Sequence, residues 1–244
     1  MKNFLNQIAI VTGASSGIGR AIAHQLSREG AIVCLLGRRL DALETIAGEI
    51  HTDGGKAFTY PVDLTRDDDI AQLKQNIEKR FQHVDIVIHS AGVIAMGDMK
   101  SAAIADLDWQ YQTNVRAPYA LTQALLPLLV PRRSQIVFIN STAGLNSKGG
   151  LGQYAATKHA LKAIADSVRQ EVNADRIRVL SVYPGRTATP MQASVFAMEN
   201  RPYQPETLLQ PETVAETIIH ALSLPGSAEI TDINIRGTVN MSRS

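Results

Sequence analysis

Residues 8–19 read Ile-Ala-Ile-Val-Thr-Gly-Ala-Ser-Ser-Gly-Ile-Gly, and this stretch decides the fold. The apolar run at 8–11 predicts a buried strand, and the residues from Gly19 onward predict a helix that ends at Gly30. Between them, three glycines are spaced G-x-x-x-G-x-G. Glycines in a strand–loop–helix unit allow a tight turn, a close approach of backbone to a pyrophosphate and close packing of the helix on the strand. The helix N-terminus then offers N–H groups to a phosphate, although an ordinary glycine turn is the alternative.

Short apolar runs alternate with helical periods along the rest of the chain. Further strands are predicted at 31–36, 57–62, 86–88, 136–139, 177–182 and 230–235, and helices at 41–50, 67–81, 106–130, 152–172 and 211–222. Pro118 and Pro127 are expected to disturb the long helix 106–130. Strands that are apolar throughout indicate a parallel sheet covered on both faces. We therefore predict a doubly wound, Rossmann-type α/β fold, with a mainly parallel seven-stranded sheet in a single domain over 1–244 and a site beyond the strands' carboxyl ends.

Composition narrows the possible partners and compartment. The 244 residues are 45% hydrophobic and carry a formal net charge of +1, so no basic excess is available for a nucleic-acid backbone. The single cysteine, Cys34, excludes an internal disulfide and a cysteine-based zinc framework, and no metal site is expected. No apolar run has the length of a membrane span, and the first residues lack the features of a signal peptide. We expect a cytoplasmic protein with neither nucleic-acid nor membrane partners.

The end of the second predicted strand bears on the choice of cofactor. It reads Leu36-Gly37-Arg38-Arg39, whereas an acidic residue at this place would bind the ribose hydroxyls of NAD. Two guanidinium groups can instead hold a 2′-phosphate through charge-assisted hydrogen bonds. The sequence therefore predicts NADP(H) in preference to NAD(H), with Arg38 as the main contact. Either arginine could also be a solvated loop charge.

A second group of polar residues follows the later strands. Tyr154 and Lys158 are four residues apart at the start of a predicted helix and so share one face. Ser141 ends the fifth strand and reaches the same crevice, and Asn114 lies in the preceding long helix. At these residues the chain resembles the short-chain dehydrogenase/reductase family. The resemblance covers essentially the whole chain, in the family's order and spacing, through residues 12–19, Asp63-Leu64, Ser90-Ala91-Gly92, Asn114, Ser141, Tyr154, Lys158 and Pro184-Gly185.

The resemblance implies the chemistry and four catalytic residues, Asn114, Ser141, Tyr154 and Lys158. Tyr154 would exchange a proton with the substrate oxygen, and Lys158 would lower the pKa of its phenol and hold the nicotinamide ribose. Ser141 would position the substrate oxygen, and Asn114 would hold a water that links Lys158 to solvent. The implied activity is hydride transfer between NADP(H) and a carbonyl or secondary alcohol of a small molecule. The alternatives are a catalytically silent NADP(H)-sensing regulator and, less compatible with this length, a nucleotide-sugar epimerase or lyase.

The resemblance also implies the cofactor contacts. Asp63 would accept a hydrogen bond from the adenine amino group, unless it serves only as a helix cap. Thr187 or Thr189 would lie near the nicotinamide carboxamide. The full set comprises Gly13, Ser15, Ser16, Gly17, Ile18, Gly19, Arg38, Arg39, Asp63, Leu64, Ser90, Ala91, Gly92, Asn114, Tyr154, Lys158, Pro184, Gly185, Thr187 and Thr189.

Two residues and one segment leave alternatives open. His89 stands where the family usually has asparagine, and it is either a packed, hydrogen-bonded residue or a catalytic one. Arg186 could pair with a substrate carboxylate or phosphate, with the cofactor pyrophosphate or with a surface acid. Residues 186–209 are expected to form a substrate lid. Equivalent helices pair between subunits in the family, which implies a homodimer or homotetramer.

Overall fold

The fold is a single parallel sheet with helices on both sides. The computed structural model describes residues 3–131 and 133–238. The strands are β1 (Ile8–Thr12), β2 (Ile32–Gly37), β3 (Lys56–Pro61), β4 (Ile86–His89), β5 (Gln135–Ile139), β6 (Arg178–Pro184) and β7 (Asp232–Ile235). The α-helices are α1 (Gly17–Arg28), α2 (Leu40–Thr52), α3 (Asp67–Phe81), α4 (Ile104–Tyr111), α5 (Ala117–Leu125), α6 (Gly152–Glu171), α7 (Pro190–Met198) and α8 (Pro211–Leu222).

The order of the strands fixes where a ligand can bind. The sheet runs β3-β2-β1-β4-β5-β6-β7, and every neighbouring pair is parallel, so the predicted doubly wound, seven-stranded fold is confirmed. The order reverses at β1, whose neighbours β2 and β4 lead the chain in opposite directions. In such sheets the crevice at the carboxyl ends beside the reversal is the usual ligand site.

The two faces of the sheet carry separate apolar cores. Alternate side chains of β1 show this directly, since Val11 packs with one core and Ile10 with the other. The first core includes Ile22 and Leu26 of α1, Leu43 and Ile46 of α2 and Val214 and Ile218 of α8. The second includes Ile70 and Leu73 of α3, Leu121 and Leu125 of α5 and Leu161 and Ala165 of α6. Because both faces are covered, the central strands are apolar throughout, as the sequence pattern indicated.

The long helix predicted over 106–130 is present as a helical segment from Ile104 to Leu128, and it is interrupted around Pro118 and Pro127, where disturbance was expected. The chain forms α4, then a π-helical turn (Gln112–Arg116), then α5 and a 3₁₀ turn (Leu126–Leu128). Pro118 lies in the first turn of α5, where its missing N–H costs least, and it withdraws a donor from the turn before it. Pro127 likewise opens the 3₁₀ turn, after which the backbone is extended at Leu129.

The C-terminal part of the chain adds a helix that the sequence pattern did not predict. Helix α7 lies within 186–209, and the last strand begins at Asp232 rather than at residue 230. No helix in the described ranges has the length and apolar character needed to cross a membrane.

Candidate active site

A cavity of about 1850 Å³ lies at the carboxyl ends of the strands. It brings together all but two of the predicted site residues. Those that line it are Gly13, Ser15, Ser16, Gly17, Ile18, Arg38, Arg39, Asp63, Leu64, Ser90, Ala91, Gly92, Ser141, Tyr154, Lys158, Pro184, Gly185, Thr187 and Thr189. Gly19 and Asn114 are the exceptions, and both are buried behind its wall.

The glycine loop after β1 forms a close-packed cradle. Gly13 has a positive φ of 63°, and a Cβ there would lie 2.9 Å from the backbone of Ala91. A Cβ at Gly19 would lie 2.5 Å from the carbonyl oxygen of Gly13, so α1 can start this close to the strand only with glycine. Ser16, at the N-cap, makes no side-chain capping hydrogen bond. The first-turn N–H groups of α1 are therefore left to bind an anion at the cavity wall.

Thr12 joins the two strands that flank the crevice, and sequence reasoning assigned it no separate role. Its Oγ1 accepts hydrogen bonds from the backbone N–H groups of Ser90 and Ala91 at 2.9 and 3.0 Å. It donates to the carbonyl oxygen of Ile88 at 3.2 Å. The end of β1 is thereby fixed to the turn after β4, where Ser90, Ala91 and Gly92 line the cavity.

The end of the cavity beside β2 is cationic. Arg38 and Arg39 are exposed, and neither forms an ion pair with a residue of the described chain. Nearby, Asp63 accepts hydrogen bonds from the N–H and Oγ1 of Thr65 at 3.0 and 2.7 Å. These hydrogen bonds, with the charge of Arg38, hold the pKa of Asp63 below its usual value. Asp63 thus organises the turn before α3 and lines the cavity, but it does not cap that helix, whose N-cap residue is Arg66.

Ser141, Tyr154 and Lys158 form a compact group in the middle of the cavity wall. Tyr154 and Lys158 are buried, and the Lys158 Nζ lies 5.8 Å from the centre of the Tyr154 ring. Nζ also donates to the carbonyl oxygen of Ile139 at 3.1 Å. Lys158 therefore places a donor and a charge close to the phenol, at the point where β5 ends.

Burial controls the protonation of this group. It raises the pKa of Tyr154 to about 12, against the opposing effect of a side-chain hydrogen bond with Ser141. Burial also lowers the pKa of Lys158 to about 8. The phenol pKa is thus above its usual value, which is opposite to the effect expected from Lys158. At neutral pH the phenol carries its proton and is suited to donate it.

Asn140 positions Ser141 and the helix that carries Lys158, and the sequence pattern did not identify it as a site residue. Its Nδ2 donates to the carbonyl oxygen of Lys158 at 3.0 Å, and its Oδ1 accepts from the N–H of Ser141 at 2.9 Å. One buried amide thus ties the end of β5 to α6 and holds Ser141 near Tyr154. Its position directly before Ser141, at the end of an apolar strand, was the available signal.

Asn114 sits in the π-helical turn and connects three segments. Its Oδ1 accepts from the N–H of Val93 at 2.8 Å, while Nδ2 donates to the carbonyl oxygen of Val93 at 2.9 Å and to Thr157 Oγ1 at 3.1 Å. One turn earlier, Gln110 accepts a hydrogen bond from the N–H of Ala95 at 3.0 Å. The loop after β4 is therefore held by side-chain amides, and Asn114 also reaches the helix that carries Tyr154.

The structure shows the contacts of His89 and Arg186, the two residues for which the sequence left alternatives open. His89 is buried, stacks on Phe138 with the ring centres 4.8 Å apart and hydrogen bonds to Thr122 Oγ1 at 2.8 Å. Burial lowers its pKa to about 3, so it is a neutral, packed residue. Arg186 lines the cavity but pairs with Glu199 through two hydrogen bonds of 2.8 and 2.5 Å. Of the three partners considered for Arg186, which were a substrate anion, the cofactor pyrophosphate and an acidic residue of the chain, the structure shows the acidic residue.

The cavity as a whole is electropositive. Among the residues that the structure describes, its lining includes seven cationic side chains and two carboxylates: Arg38, Arg39, Lys148, Lys158, Arg186, Arg201 and Arg236, with Asp63 and Glu199. The whole chain has a net charge of only +1, so positive charge is concentrated here. Within the same described residues, no group of three or more His, Cys, Asp or Glu side chains is arranged to hold a metal ion.

Comparison with known proteins agrees with this geometry. A family model described as short chain dehydrogenase matches residues 7–200. An uncharacterized oxidoreductase of Staphylococcus epidermidis is 30% identical over 237 residues, covering 97% of this chain and 99% of the relative. An alcohol dehydrogenase of the archaeon Thermococcus sibiricus, complexed with 5-hydroxy-NADP, is 25% identical with a TM-score of 0.88, covering 98% and 99% of the two chains. A short chain dehydrogenase of Escherichia coli complexed with NADPH is 31% identical with a TM-score of 0.85, covering 96% and 98%.

Proposed function

This chain belongs to the short-chain dehydrogenase family, and from that premise we propose that it is an NADP(H)-dependent oxidoreductase acting on a small carbonyl compound or secondary alcohol. The observation that carries the proposal is the placement of Ser141, Tyr154 and Lys158 in the same cavity as the glycine loop and Arg38. A proton donor and a dinucleotide cradle at one crevice are what reversible hydride transfer requires.

The cavity fits NADP(H). The Gly13–Gly19 cradle and the N-terminus of α1 would hold the pyrophosphate, and Arg38 and Arg39 would hold the 2′-phosphate. Asp63 and Leu64 would lie beside the adenine, and Pro184, Gly185, Thr187 and Thr189 beside the nicotinamide. The NADP and NADPH complexes of the similar structures support this assignment. When bound, the nicotinamide supplies or accepts the hydride.

The residues of the chain handle the proton. Tyr154 would donate its phenolic proton to the carbonyl oxygen during reduction, while the hydroxyl of Ser141 orients that oxygen by a hydrogen bond. The Lys158 ammonium would stabilise the phenolate that this leaves behind. Because the pKa of Tyr154 is about 12, the protonated form predominates at neutral pH. This is the form of the tyrosine that carbonyl reduction requires.

Replacement of the proton donor tests the assignment. In Tyr154→Phe, turnover of NADPH with a panel of ketones and aldehydes should fall by about 10²- to 10⁴-fold. The dissociation constant for NADPH should stay nearly unchanged, because the ring remains. Tyr111→Phe, at a half-exposed position on α4 outside the cavity lining, is the matched control and should behave as wild type.

The outcomes separate the two functional classes. Wild-type turnover in Tyr154→Phe would remove the catalytic role of the tyrosine. Tight NADPH binding by the wild-type protein without turnover of any carbonyl would favour the NADP(H)-sensing regulator.

Three further expectations remain part of the proposal. Residues 186–209, with α7 and the ion pair from Arg186 to Glu199, would act as a substrate lid. The exposed Trp109 and Tyr119 on α4 and α5 support assembly into a homodimer or homotetramer. A cytoplasmic location agrees with a reduced, buried Cys34.

A further inference from the structure

Gln110 and Gln153, referred to here as the glutamine pair, connect α4 to the start of α6. The Nε2 of Gln110 donates to the Oε1 of Gln153 at 3.3 Å. Four residues further along each segment, the Nδ2 of Asn114 donates to Thr157 Oγ1 at 3.1 Å. Four residues are about one helical turn, so the same two segments are joined at two successive turns.

Backbone groups fix the orientation of both side-chain amides. Gln110 is fully buried; its Oε1 accepts from the N–H of Ala95 at 3.0 Å, and its Nε2 donates to the carbonyl oxygen of Asp106 at 3.1 Å. Rotation of this amide by half a turn would place a donor against the Ala95 N–H and an acceptor against the Asp106 carbonyl. The second hydrogen of Nε2 is thus left for Gln153, whose own Nε2 donates to the carbonyl oxygen of Ala103 at 2.9 Å. Only this arrangement of the glutamine pair satisfies all of these groups.

The glutamine pair holds the loop after β4 in place beside the cavity. Asn114 fixes Val93 through both its N–H and its carbonyl oxygen, and Gln110 fixes the N–H of Ala95. Ile94, the residue between them, lines the cavity. The position of Ile94 in the cavity wall is therefore set by two buried amides, one from α4 and one from the π-helical turn.

The glutamine pair also holds the turn of α6 that carries Tyr154. Gln153 directly precedes Tyr154, and both lie in the first turn of α6. The N-cap residue of this helix is Leu151, whose apolar side chain cannot accept a capping hydrogen bond. A helix end without a cap is prone to fraying. The hydrogen bonds of Gln153 with Gln110 and Ala103 therefore anchor this turn to α4 and to the segment before it.

We propose that Gln110 and Gln153 are positioning residues for carbonyl reduction. Through their shared hydrogen bond they set the placement of Ile94 relative to the Tyr154 phenol, and so the placement of the substrate relative to its proton donor. The inference rests on the proposed oxidoreductase function and deepens it. Neither glutamine is among the described residues that line the cavity, so both act without touching substrate or cofactor.

The cofactor side of the cavity is held by other contacts. Thr12 fixes the N–H groups of Ser90 and Ala91, and Gly19 packs against the carbonyl of Gly13. Loss of the glutamine pair should therefore alter the reaction with the carbonyl compound more than the binding of NADPH. A pair that served stability alone would instead reduce the number of folded, NADPH-binding molecules and leave each of them fully active.

The test measures kcat and KM per NADPH-binding site. Fluorescence titration counts the sites in each preparation and gives the dissociation constant for NADPH, and the steady-state assay uses the ketone or aldehyde that the wild-type protein reduces fastest. The variants are Gln110→Met, which removes the hydrogen bonds to Ala95 and Gln153, and Gln153→Met, which leaves the one to Ala95 intact. Methionine keeps the length and the approximate volume of glutamine. The control is Gln72→Met, which removes a hydrogen bond to Asn76 on the exposed surface of α3.

Gln110→Met should raise KM for the carbonyl compound and lower kcat/KM per site by about tenfold, because the wall at Ile94 loses one of its two attachments. Gln153→Met should lower kcat more than it raises KM, since it releases the turn that carries Tyr154 while Ala95 stays held. The double variant should lose less than the product of the two single losses, because the glutamines share a hydrogen bond. All of these variants should keep the wild-type dissociation constant for NADPH, and Gln72→Met should be unchanged throughout.

Wild-type kcat and KM per site in both single variants would overturn the positioning role and leave the proposed function intact. A loss of activity fully matched by a loss of NADPH-binding sites would overturn it as well, because the pair would then serve stability alone. If Gln110→Met does not yield folded protein, Gln153→Met is sufficient, and an unchanged kcat per site in that variant rejects the proposal. If the wild-type protein reduces no carbonyl compound, the proposed function fails and the positioning role fails with it.

Discussion

Removal of the Arg38 side chain should weaken NADPH binding and spare NADH binding. Arg38 lies directly after β2, is exposed and forms no ion pair within the described chain. Its truncation to alanine therefore breaks little that holds the fold together. The variant should be as stable as the wild-type protein, so that a change in cofactor affinity reports on the cofactor contact itself.

The magnitude follows from the exposure of the guanidinium group. A hydrogen bond to a charged partner contributes about 1.5–3 kcal/mol, and screening by solvent places an exposed contact near the lower limit. The dissociation constant for NADPH should therefore rise about tenfold in Arg38→Ala. The neighbouring Arg39 can also contact the 2′-phosphate. The double variant Arg38→Ala/Arg39→Ala should therefore lose more NADPH affinity than either single variant.

The assay is a fluorescence titration of NADPH and NADH at two ionic strengths. The preference of the wild-type protein for NADPH should decrease at the higher salt concentration, because exposed charges are screened. Arg28→Ala is the control, since this exposed arginine at the end of α1 is paired with Asp53, outside the cavity. Equal losses for the two cofactors in Arg38→Ala would refute the assignment of the 2′-phosphate to this residue.

Three other perturbations probe packing and protonation. Gly19→Ala should lower the free energy of unfolding by about 1–3 kcal/mol and impair NADPH binding, because the new Cβ would meet the Gly13 carbonyl oxygen. The control Gly48→Ala, with open space around the new Cβ, should be neutral or stabilising in the same denaturant titration. Equal stabilities of the two variants would contradict the close-packed glycine loop. His89 has a pKa of about 3 in the folded protein and about 6.5 in the unfolded chain, so the unfolded state binds a proton first as the pH falls. The free energy of unfolding should therefore decrease by about 1.4 kcal/mol per pH unit below pH 6.5, and His89→Asn should reduce this slope. An unchanged slope in the variant would show that other groups cause the loss. Carbonyl reduction should be nearly independent of pH between about pH 6 and 7, where Lys158, with its pKa of about 8, keeps its charge. Over the same range the rate of alcohol oxidation should rise about tenfold per pH unit, because oxidation needs the Tyr154 phenolate. A flat oxidation profile would argue against a tyrosine base with a pKa near 12.

The elements that the sequence predicted well are those with a local signal. The apolar run at 8–11 forms the buried strand β1. The glycines that follow it are required because a Cβ at Gly19 would meet the carbonyl oxygen of Gly13. The parallel sheet followed from strands with no polar face. Tyr154 and Lys158 share a helix face because they are four residues apart, and that geometry needs no information from the rest of the chain.

The features that escaped prediction depend on partners far away in the sequence. Arg186 had three plausible partners, and only the fold brings Glu199, 13 residues later, within hydrogen-bond distance. The role of Asn140 depends on the carbonyl oxygen of Lys158, 18 residues later. The raised pKa of Tyr154 likewise arises from burial, which a helix pattern does not quantify.

The π-helical turn at Gln112–Arg116 has a consequence for how this segment can change in length. A regular α-helix advances about 100° per residue, so the wider turn offsets α4 from α5 by a fraction of a turn. With that offset, both Gln110 and Asn114 reach the backbone of the loop after β4. Loss of one residue here would restore a smooth helix but rotate one amide away from its partner. A gap placed in this segment of an alignment would thus mark a relative in which the loop after β4 is held differently, even where Ser141, Tyr154 and Lys158 are all retained.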